Sequence, residues 1–141
     1  MTQVNTQAAI RVVAGVIGQA NQVLVAQRHP DKAYISWWEF PGGKVEADES
    51  DQQALARELK EELGVTVAVG APIVETEYDY GDKRILLCSY WCTLAKGEPE
   101  ALSHQAIHWS EPNRLDPAVF SAADRPLLAK LQADTQIVCE A

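Results

Sequence analysis

The sequence predicts an α+β fold in which one helix in the middle of the chain and one near its end pack against a mixed β-sheet. Apolar, β-branched runs separated by turn residues recur over 10–27 and 65–110, and such runs are typical of strands. Between them, leucines at every fourth position over 55–63 form the apolar stripe of a helix. A chain of 141 residues ordinarily builds one domain. We therefore expect one domain over residues 1–141, with residues 1–8 as a loose tail.

The segment before the central helix is predicted to form a hairpin, a loop and a turn. The runs IRVVAGVI (10–17) and QVLVAQ (22–27) predict two strands, and turn residues at 18–21 join them. Residues 29–36 are polar and predict a loop. Pro41-Gly42-Gly43 then predicts a sharp turn, because proline and glycine interrupt regular structure.

Helix boundaries are marked by capping residues. Ser50 is a good N-cap for the central helix, and Gln53, three residues later, completes a capping box. Gly64 is placed to be the C-cap residue of the same helix. The pattern over 126–132 predicts a final helix that ends at about Gln132, with Asp124 near its start.

The strands after the central helix complete the predicted sheet. VTVAV (65–69) and PIVETEYDY (72–80) predict two strands. RILLCSYWCTL (84–94) predicts a third, joined to the second by the turn GDK (81–83). QAIHWS (105–110) is a plausible short strand.

Charge and hydropathy limit the classes of partner. The net charge of −8 argues against a nucleic-acid polymer as partner, since such proteins need a basic surface. A single nucleotide is not excluded, because metal ions can lie between two anionic groups. No apolar run approaches the ~20 residues needed to cross a bilayer, and no positive charge precedes Arg11 as a secretory signal requires. We expect a cytoplasmic protein that binds no membrane.

The three cysteines are expected to be free thiols. Cys88 and Cys92 lie in one predicted strand, where four residues span about 13 Å, too far for a disulfide. Cys139 lies far from both in sequence, and no CxxC pair exists. Free thiols are typical of the reducing cytoplasm.

Glu58, Glu61 and Glu62 form an acidic cluster on one stripe of the central helix, because they are spaced three and four residues apart. A solvated face is the ordinary explanation of such glutamates. Their mutual repulsion, and the negative end of the helix dipole in the last turn, would together cost roughly 1–2 kcal/mol. A divalent cation would reverse the sign of that cost, and carboxylate oxygens are ligands that Mg²⁺ and Mn²⁺ prefer. The spacing alone leaves a metal site and a solvated face as alternatives.

The residues around the cluster form a longer motif. From Gly43 to Val65 the sequence is GKVEADESDQQALARELKEELGV. It resembles the Nudix box, which is a glycine, five residues, a glutamate, seven residues and then Arg-Glu-aliphatic-x-Glu-Glu-x-Gly-aliphatic. Every fixed position is filled, by Gly43, Glu49, Arg57, Glu58, Leu59, Glu61, Glu62, Gly64 and Val65.

The likeness continues outside the box and is to the MutT branch of the Nudix family and its CTP pyrophosphohydrolase relatives. WEFPGGK (38–44) precedes the box as in those proteins, and the resemblance covers about residues 10–131. It implies the Nudix fold, a mixed sheet sandwiched between helices as α/β/α, with the box as a loop–helix–loop. The other matching residues are Arg28, Tyr78, Tyr80, Gly97 to Pro99 and Ala123 to Leu131.

The resemblance implies a metal site and a reaction. Mg²⁺, for which Mn²⁺ can substitute, would be held by Glu58, Glu61 and Glu62, with the Gly42 carbonyl as an additional ligand. Arg57 resembles the arginine that orients the glutamates; the alternative is an ordinary surface ion pair. Water would attack the β-phosphorus of a nucleoside triphosphate and release pyrophosphate. Glu58 is the first choice for the base.

Roles for other residues follow from the same resemblance. Glu49 is a candidate base or a partner beyond the metal ligands, unless it is simply a favourable anion at a helix start. Arg28 would bind the phosphates, for which its guanidinium is suited; the alternative is a surface arginine. Tyr80 and Phe40 are candidates to flank the base, or belong to the core. The WEFPGGK segment contributes the remaining substrate-binding candidates, which are Glu39, Pro41, Gly42, Gly43 and Lys44.

Two positions depart from the pattern of relatives. Where relatives carry a further carboxylate ligand after the GEP segment, this chain has Ser103; Glu98, Glu100 or His104 could replace it, or the site could bind one metal fewer. MutT proteins carry Asn at the position that reads the base, and here it is Asp124, which also suits an N-cap. An ionised Asp only accepts hydrogen bonds, whereas a protonated one could mimic Asn.

The leading functional hypothesis is a MutT-type pyrophosphohydrolase that removes oxidised dGTP (8-oxo-dGTP). The alternative within the class prefers CTP and dCTP derivatives. A remote alternative is a non-catalytic nucleotide-binding Nudix module, which would ordinarily have lost box glutamates. The sequence leaves open whether the protein is a monomer or a homodimer.

Overall fold

Seven strands and two α-helices make up the part of the chain that the computed structural model describes, residues 9–140. The expected tail at 1–8 lies outside these residues. Three short 3-10 turns lie within 112–124, ahead of the last helix. The elements are β1 (Ile10–Gln19), β2 (Gln22–Gln27), β3 (Trp38–Glu39), β4 (Gly42–Lys44), α1 (Asp51–Leu63), β5 (Thr66–Asp79), β6 (Arg84–Lys96), β7 (Ala106–Ser110) and α2 (Arg125–Glu140).

The sheet is mixed, as the sequence predicts. β1 pairs in parallel with β6 and antiparallel with β4, and β6 pairs antiparallel with β5. The predicted hairpin of β1 and β2 is present; its turn consists of Ala20 and Asn21, both with positive φ, as tight hairpin turns require. β2 also pairs with β3 and β7. This pairing brings the segment before the Nudix-box helix and the segment before β7 to the same end of β2.

Two apolar cores cover the two faces of the sheet. Along β1, Val13 and Ile17 point to the core shared with α1, whereas Ala14 and Val16 point to the core shared with α2. The leucine stripe of α1 is fully buried in the first core. The layered helix–sheet–helix arrangement that the resemblance implies is therefore confirmed.

The caps of α1 are those that the sequence predicts. Ser50 Oγ accepts from Gln53 N–H at 3.1 Å, and Gln53 Oε1 accepts from Ser50 N–H at 2.9 Å. Gly64 ends the helix in the left-handed conformation at φ 73° and donates to the Lys60 carbonyl. These caps fix where the helix starts and stops, and so fix which turn carries the acidic cluster. Neither helix in the described range has the length and apolar character of a membrane span.

Three predicted boundaries are wrong. The strands expected at 65–69 and 72–80 are one strand, β5, because irregular pairing with β6 absorbs the intervening residues. Gly42 and Gly43 do not form a sharp turn; they are extended in β4 and pair with Ala14 and Val13. The last helix does not end at about Gln132 but continues to Glu140, since no glycine or proline interrupts it there.

Candidate active site

Gly42 and Gly43 of β4 lie directly against the glutamates of α1. A Cβ at Gly43 would overlap the Glu58 carboxylate, and a Cβ at Gly42 would overlap the Val13 carbonyl of β1. The Gly42 N–H donates to Glu62 Oε1 at 3.2 Å. The absence of side chains thus lets one extended segment approach the helix on one side and the sheet on the other.

Arg57 connects the start of the box to its acidic end. Its Nε and one terminal nitrogen donate to both oxygens of Glu49, at 2.7 and 2.9 Å. Another terminal nitrogen lies 3.3 Å from Glu58 Oε2 and 3.5 Å from Glu61 Oε1. The guanidinium also donates to the Lys44 carbonyl. This geometry suits Arg57 to orient the glutamates, as the resemblance implies.

Glu49 is poorly suited to be a base. The hydrogen bond from Arg57, with the Glu46 N–H, lowers the pKa of Glu49 to about 2. A carboxylate held this firmly as an anion accepts protons weakly near neutral pH. The geometry favours the other role left open for Glu49, a partner beyond the metal ligands, because both of its oxygens bind Arg57.

The surroundings of Glu58 and Glu62 disfavour the ionised form of both carboxyl groups. Burial is the main cause that raises the pKa of Glu58, and burial together with Glu58 and Glu39 raises the pKa of Glu62 to about 8. Glu61, by contrast, is more than half exposed. In the described residues, no three acidic, His or Cys side chains already surround one point as metal ligands. These hard oxygen donors nevertheless fit a divalent cation, which would favour their ionised forms and draw them together.

His104 is held beside this acidic group. Its Nε2 lies 2.9 Å from Glu39 Oε2 on β3, and its side chain is 5% exposed. The hydrogen bond to Glu39 raises the pKa of His104, and the nearby Glu62 raises it further. Ser103, Glu98 and Glu100, the other candidates for the missing ligand, are all exposed.

A cavity of about 570 Å³ opens next to Arg28. Arg28 lines this cavity, and its charge lowers the pKa of both His104 and Asp124. Two aromatic rings line the cavity, and each has a cation over it: Lys83 Nζ lies 5.9 Å from the Tyr80 ring, and Arg125 lies 5.8 Å from the Trp37 ring. Sequence reasoning did not single out Lys83 or Arg125, because no motif marks them. Only the fold brings these two segments to one cavity.

Asp124 is buried at the start of α2. Its Oδ2 accepts from the Phe40 N–H at 2.8 Å, and burial raises the pKa of Asp124 to about 7. The carboxyl thus reaches the WEFPGGK segment across 84 residues of sequence. The Phe40 ring itself is buried against Phe120, so the suggestion that it flanks a base is corrected: it is a core residue. Tyr80 is 42% exposed and keeps an accessible face.

The structure thus brings most of the predicted site residues to one region. Glu39, Gly42, Gly43, Glu58 and Glu62 adjoin one another. Pro41 is buried, and its carbonyl accepts from Gly15 N–H, so it contributes to the approach of β4 to β1. The Lys44 side chain is exposed.

The fold and this site match known proteins. Residues 12–130 match the family described as NUDIX domain. The chain is 38% identical over 124 residues to the CTP pyrophosphohydrolase of Escherichia coli (strain K12), covering 88% of this chain and 92% of that protein. It is 37% identical over 128 residues to the 8-oxo-dGTP diphosphatase of Haemophilus influenzae, covering 89% and 93%. The solution structure of the E. coli ORF135 protein superposes with a TM-score of 0.78 at 37% identity, covering 89% of each chain.

The chain belongs to the Nudix family and is a Nudix hydrolase. More particularly, its relatives are named as nucleotide pyrophosphohydrolases of the 8-oxo-dGTP and CTP kinds, and MutT proteins are among its structural neighbours. The predicted class is confirmed, and the non-catalytic alternative is left without support.

Proposed function

We propose that this Nudix hydrolase is a Mg²⁺-dependent nucleoside triphosphate pyrophosphohydrolase whose preferred substrate is 8-oxo-dGTP. The observation that carries the proposal is the contact of Gly42 and Gly43 with Glu62 and Glu58. A cavity of about 570 Å³, lined by Arg28, offers space for a nucleotide. The name of the relative from H. influenzae supports the oxidised purine.

Residues at the acidic end would hold the metal. Glu58, Glu61 and Glu62, with the Gly42 carbonyl, supply hard oxygen ligands of the kind that Mg²⁺ uses. When bound, the ion would neutralise phosphate charge and lower the pKa of a water that attacks phosphorus. The raised pKa of Glu58 suits it to accept the proton from that water, and Arg57 holds its carboxylate in place.

Arg28 would bind the phosphates; this is supported by its position in the wall of the cavity and by its charge, which lowers the pKa of His104 beside the acidic group. Its planar guanidinium can donate two parallel hydrogen bonds to phosphate oxygens. Lys44 follows Gly42 and Gly43 in β4 and is exposed. It provides a second cation for the triphosphate of the substrate.

Asp124 and the aromatic walls of the cavity would recognise the base. With a pKa of about 7, the Asp124 carboxyl can be protonated and present both a donor and an acceptor to an 8-oxoguanine edge. The Tyr80 and Trp37 rings offer faces on which a base can stack. The same pKa also allows the ionised form, which only accepts hydrogen bonds.

The ionised form of Asp124 supports a second candidate function, cleavage of CTP or dCTP derivatives. Its oxygens could accept from the amino group of cytosine. The E. coli CTP pyrophosphohydrolase, at 38% identity, supports this alternative by name.

We further propose a cytoplasmic enzyme, since Cys88 and Cys92 are buried free thiols. We expect it to act as a monomer or homodimer on free nucleotides, because a net charge of −8 disfavours a nucleic-acid polymer.

The test is a panel of kcat/KM values for 8-oxo-dGTP, dGTP, CTP, dCTP and 5-methyl-dCTP with Mg²⁺. We expect 8-oxo-dGTP to exceed dGTP by several orders of magnitude, with pyrophosphate as product. Glu61→Gln should lose activity, whereas Lys60→Gln, a charge change in the same exposed turn, should not. Preference for the cytidine nucleotides would replace the first candidate by the second. Full activity of Glu61→Gln would contradict the assignment of the acidic cluster as the metal ligands.

A further inference from the structure

The ring of His104 has one nitrogen with no partner. Among the residues that the structure describes, its Nδ1 is the only buried side-chain nitrogen or oxygen without a hydrogen bond. A protonated Nδ1 would be a buried donor without an acceptor, and a neutral one a buried lone pair without a donor. Either state is unfavourable in a folded protein, so Nδ1 is a candidate to bind a further group.

The other ring nitrogen is fixed by a carboxylate. Nε2 lies 2.9 Å from Glu39 Oε2, which holds the Nε2 proton and orients the ring. Imidazoles that bind metals are held in this way: one nitrogen donates to a carboxylate and the other keeps its lone pair for the ion. The Glu39–His104 pair thus has the arrangement by which a carboxylate orients a metal-ligating histidine.

The loop that carries His104 is fastened to the acidic end of α1. Leu102 N–H donates to the Glu62 carbonyl at 3.1 Å, and Glu100 N–H donates to the Leu63 carbonyl at 3.0 Å. On the other side, Gln105 N–H donates to the Gln27 carbonyl at 2.8 Å. The ring is therefore held within electrostatic range of the Glu62 carboxylate.

We propose that Nδ1 of His104 is a ligand of the divalent cation in this site, oriented by Glu39. The proposal rests on the metal-dependent hydrolase proposed above, and it assigns the position of the missing carboxylate to an imidazole rather than to Ser103. An imidazole nitrogen favours Mn²⁺ over Mg²⁺ relative to a site made of oxygens alone. The chain should therefore bind Mn²⁺ with a nitrogen in its coordination sphere.

The direct test is pulsed electron paramagnetic resonance on the parent protein loaded with Mn²⁺ alone. We expect ¹⁴N modulation in the parent, its loss in His104→Gln, and its retention in His29→Gln and His108→Gln. Parent spectra without nitrogen modulation would overturn the proposal, as would modulation that survives in His104→Gln. The parent measurement does not depend on whether any variant folds.

A second measurement separates ligation from packing. Glutamine can still donate from its amide to Glu39 but offers no nitrogen lone pair to a metal, only an amide oxygen. In titrations of His104→Gln, we expect Mn²⁺ affinity to fall by about tenfold or more, while Mg²⁺ affinity changes by no more than about threefold. Equal changes for both ions would indicate a structural role and overturn the proposal. Parent hydrolysis with Mg²⁺ but without nitrogen coupling would reject only this inference and leave the proposed function intact.

Discussion

Replacing Gly43 by alanine should remove catalysis while leaving the fold intact. The new Cβ would overlap the Glu58 carboxylate, whose Oε1 would lie 2.8 Å away against an ordinary contact of 3.4–4 Å. The carboxylate would have to move by roughly 1 Å to restore ordinary contact. A displacement of that size at a reacting centre costs about 100-fold in rate, or about 2.7 kcal/mol of transition-state stabilisation.

The stability cost should be small, because the group that must move is the end of a flexible side chain. Its contact with Arg57, at 3.3 Å and partly exposed, contributes ~0–1 kcal/mol. Gly42→Ala is the matched control. There the Cβ would overlap the Val13 carbonyl, which sheet pairing prevents from moving, so about 3 kcal/mol of unfolding free energy should be lost.

The assay is kcat/KM for 8-oxo-dGTP with Mg²⁺, together with urea unfolding followed by tryptophan fluorescence. Gly43→Ala should lose about 100-fold in kcat/KM with less than about 1 kcal/mol of stability. Activity within about threefold of the parent would refute the placement of Glu58 at the reacting centre. A stability loss as large as that of Gly42→Ala would refute the argument that only a side chain must move.

The remaining predictions concern pH and capping. The hydrogen bond from Arg11 lowers the pKa of Asp51. The pair therefore stabilises the fold above the unfolded pKa of about 4, and this stabilisation is lost as pH falls. Asp51→Asn should lower the free energy of unfolding by about 1–2 kcal/mol at pH 7 and by almost nothing near pH 2. Persistence of the difference at pH 2 would contradict this. Ser50→Ala should lower the free energy of unfolding by about 1 kcal/mol through the lost cap, with kcat unchanged; urea titration measures the first and a kinetic assay the second. Because the folded pKa of Asp124 is raised to about 7, the unfolded chain holds fewer protons between about pH 4 and 7, and parent stability should fall as pH rises through that range. Asp124→Asn should make this fall less steep, while the raised pKa of Glu62 keeps part of it; parallel pH profiles of the two proteins would show that Asp124 does not contribute.

The box residues were predictable because their spacing is local. Positions 58, 61 and 62 share one helix face whatever the rest of the chain does, and Ser50 and Gly64 fix the ends of that helix. The hairpin of β1 and β2 was predictable for the same reason, since its turn and its apolar runs lie within a few residues.

The irregular parts of the chain were not predictable in this way. Gly42 and Gly43 have the composition of a turn, and only their pairing with β1 makes them extended. The break expected between 69 and 72 disappears because β6 continues to pair across it. In both places a neighbouring strand, which local propensity does not contain, decides the backbone conformation.

The sequence by itself determined the class of protein, the Nudix-box helix and its acidic cluster, because these depend on residues within a few helical turns of each other. Tertiary structure decided the surroundings of that cluster. It placed the Asp124 carboxyl on the Phe40 N–H across 84 residues, paired His104 with Glu39 across 65, and put Lys83 and Arg125 on one cavity. Burial raises the pKa of Glu62 and of Asp124. These groups become buried only when the sheet and both helices have packed, because desolvation depends on the whole fold rather than on any local pattern.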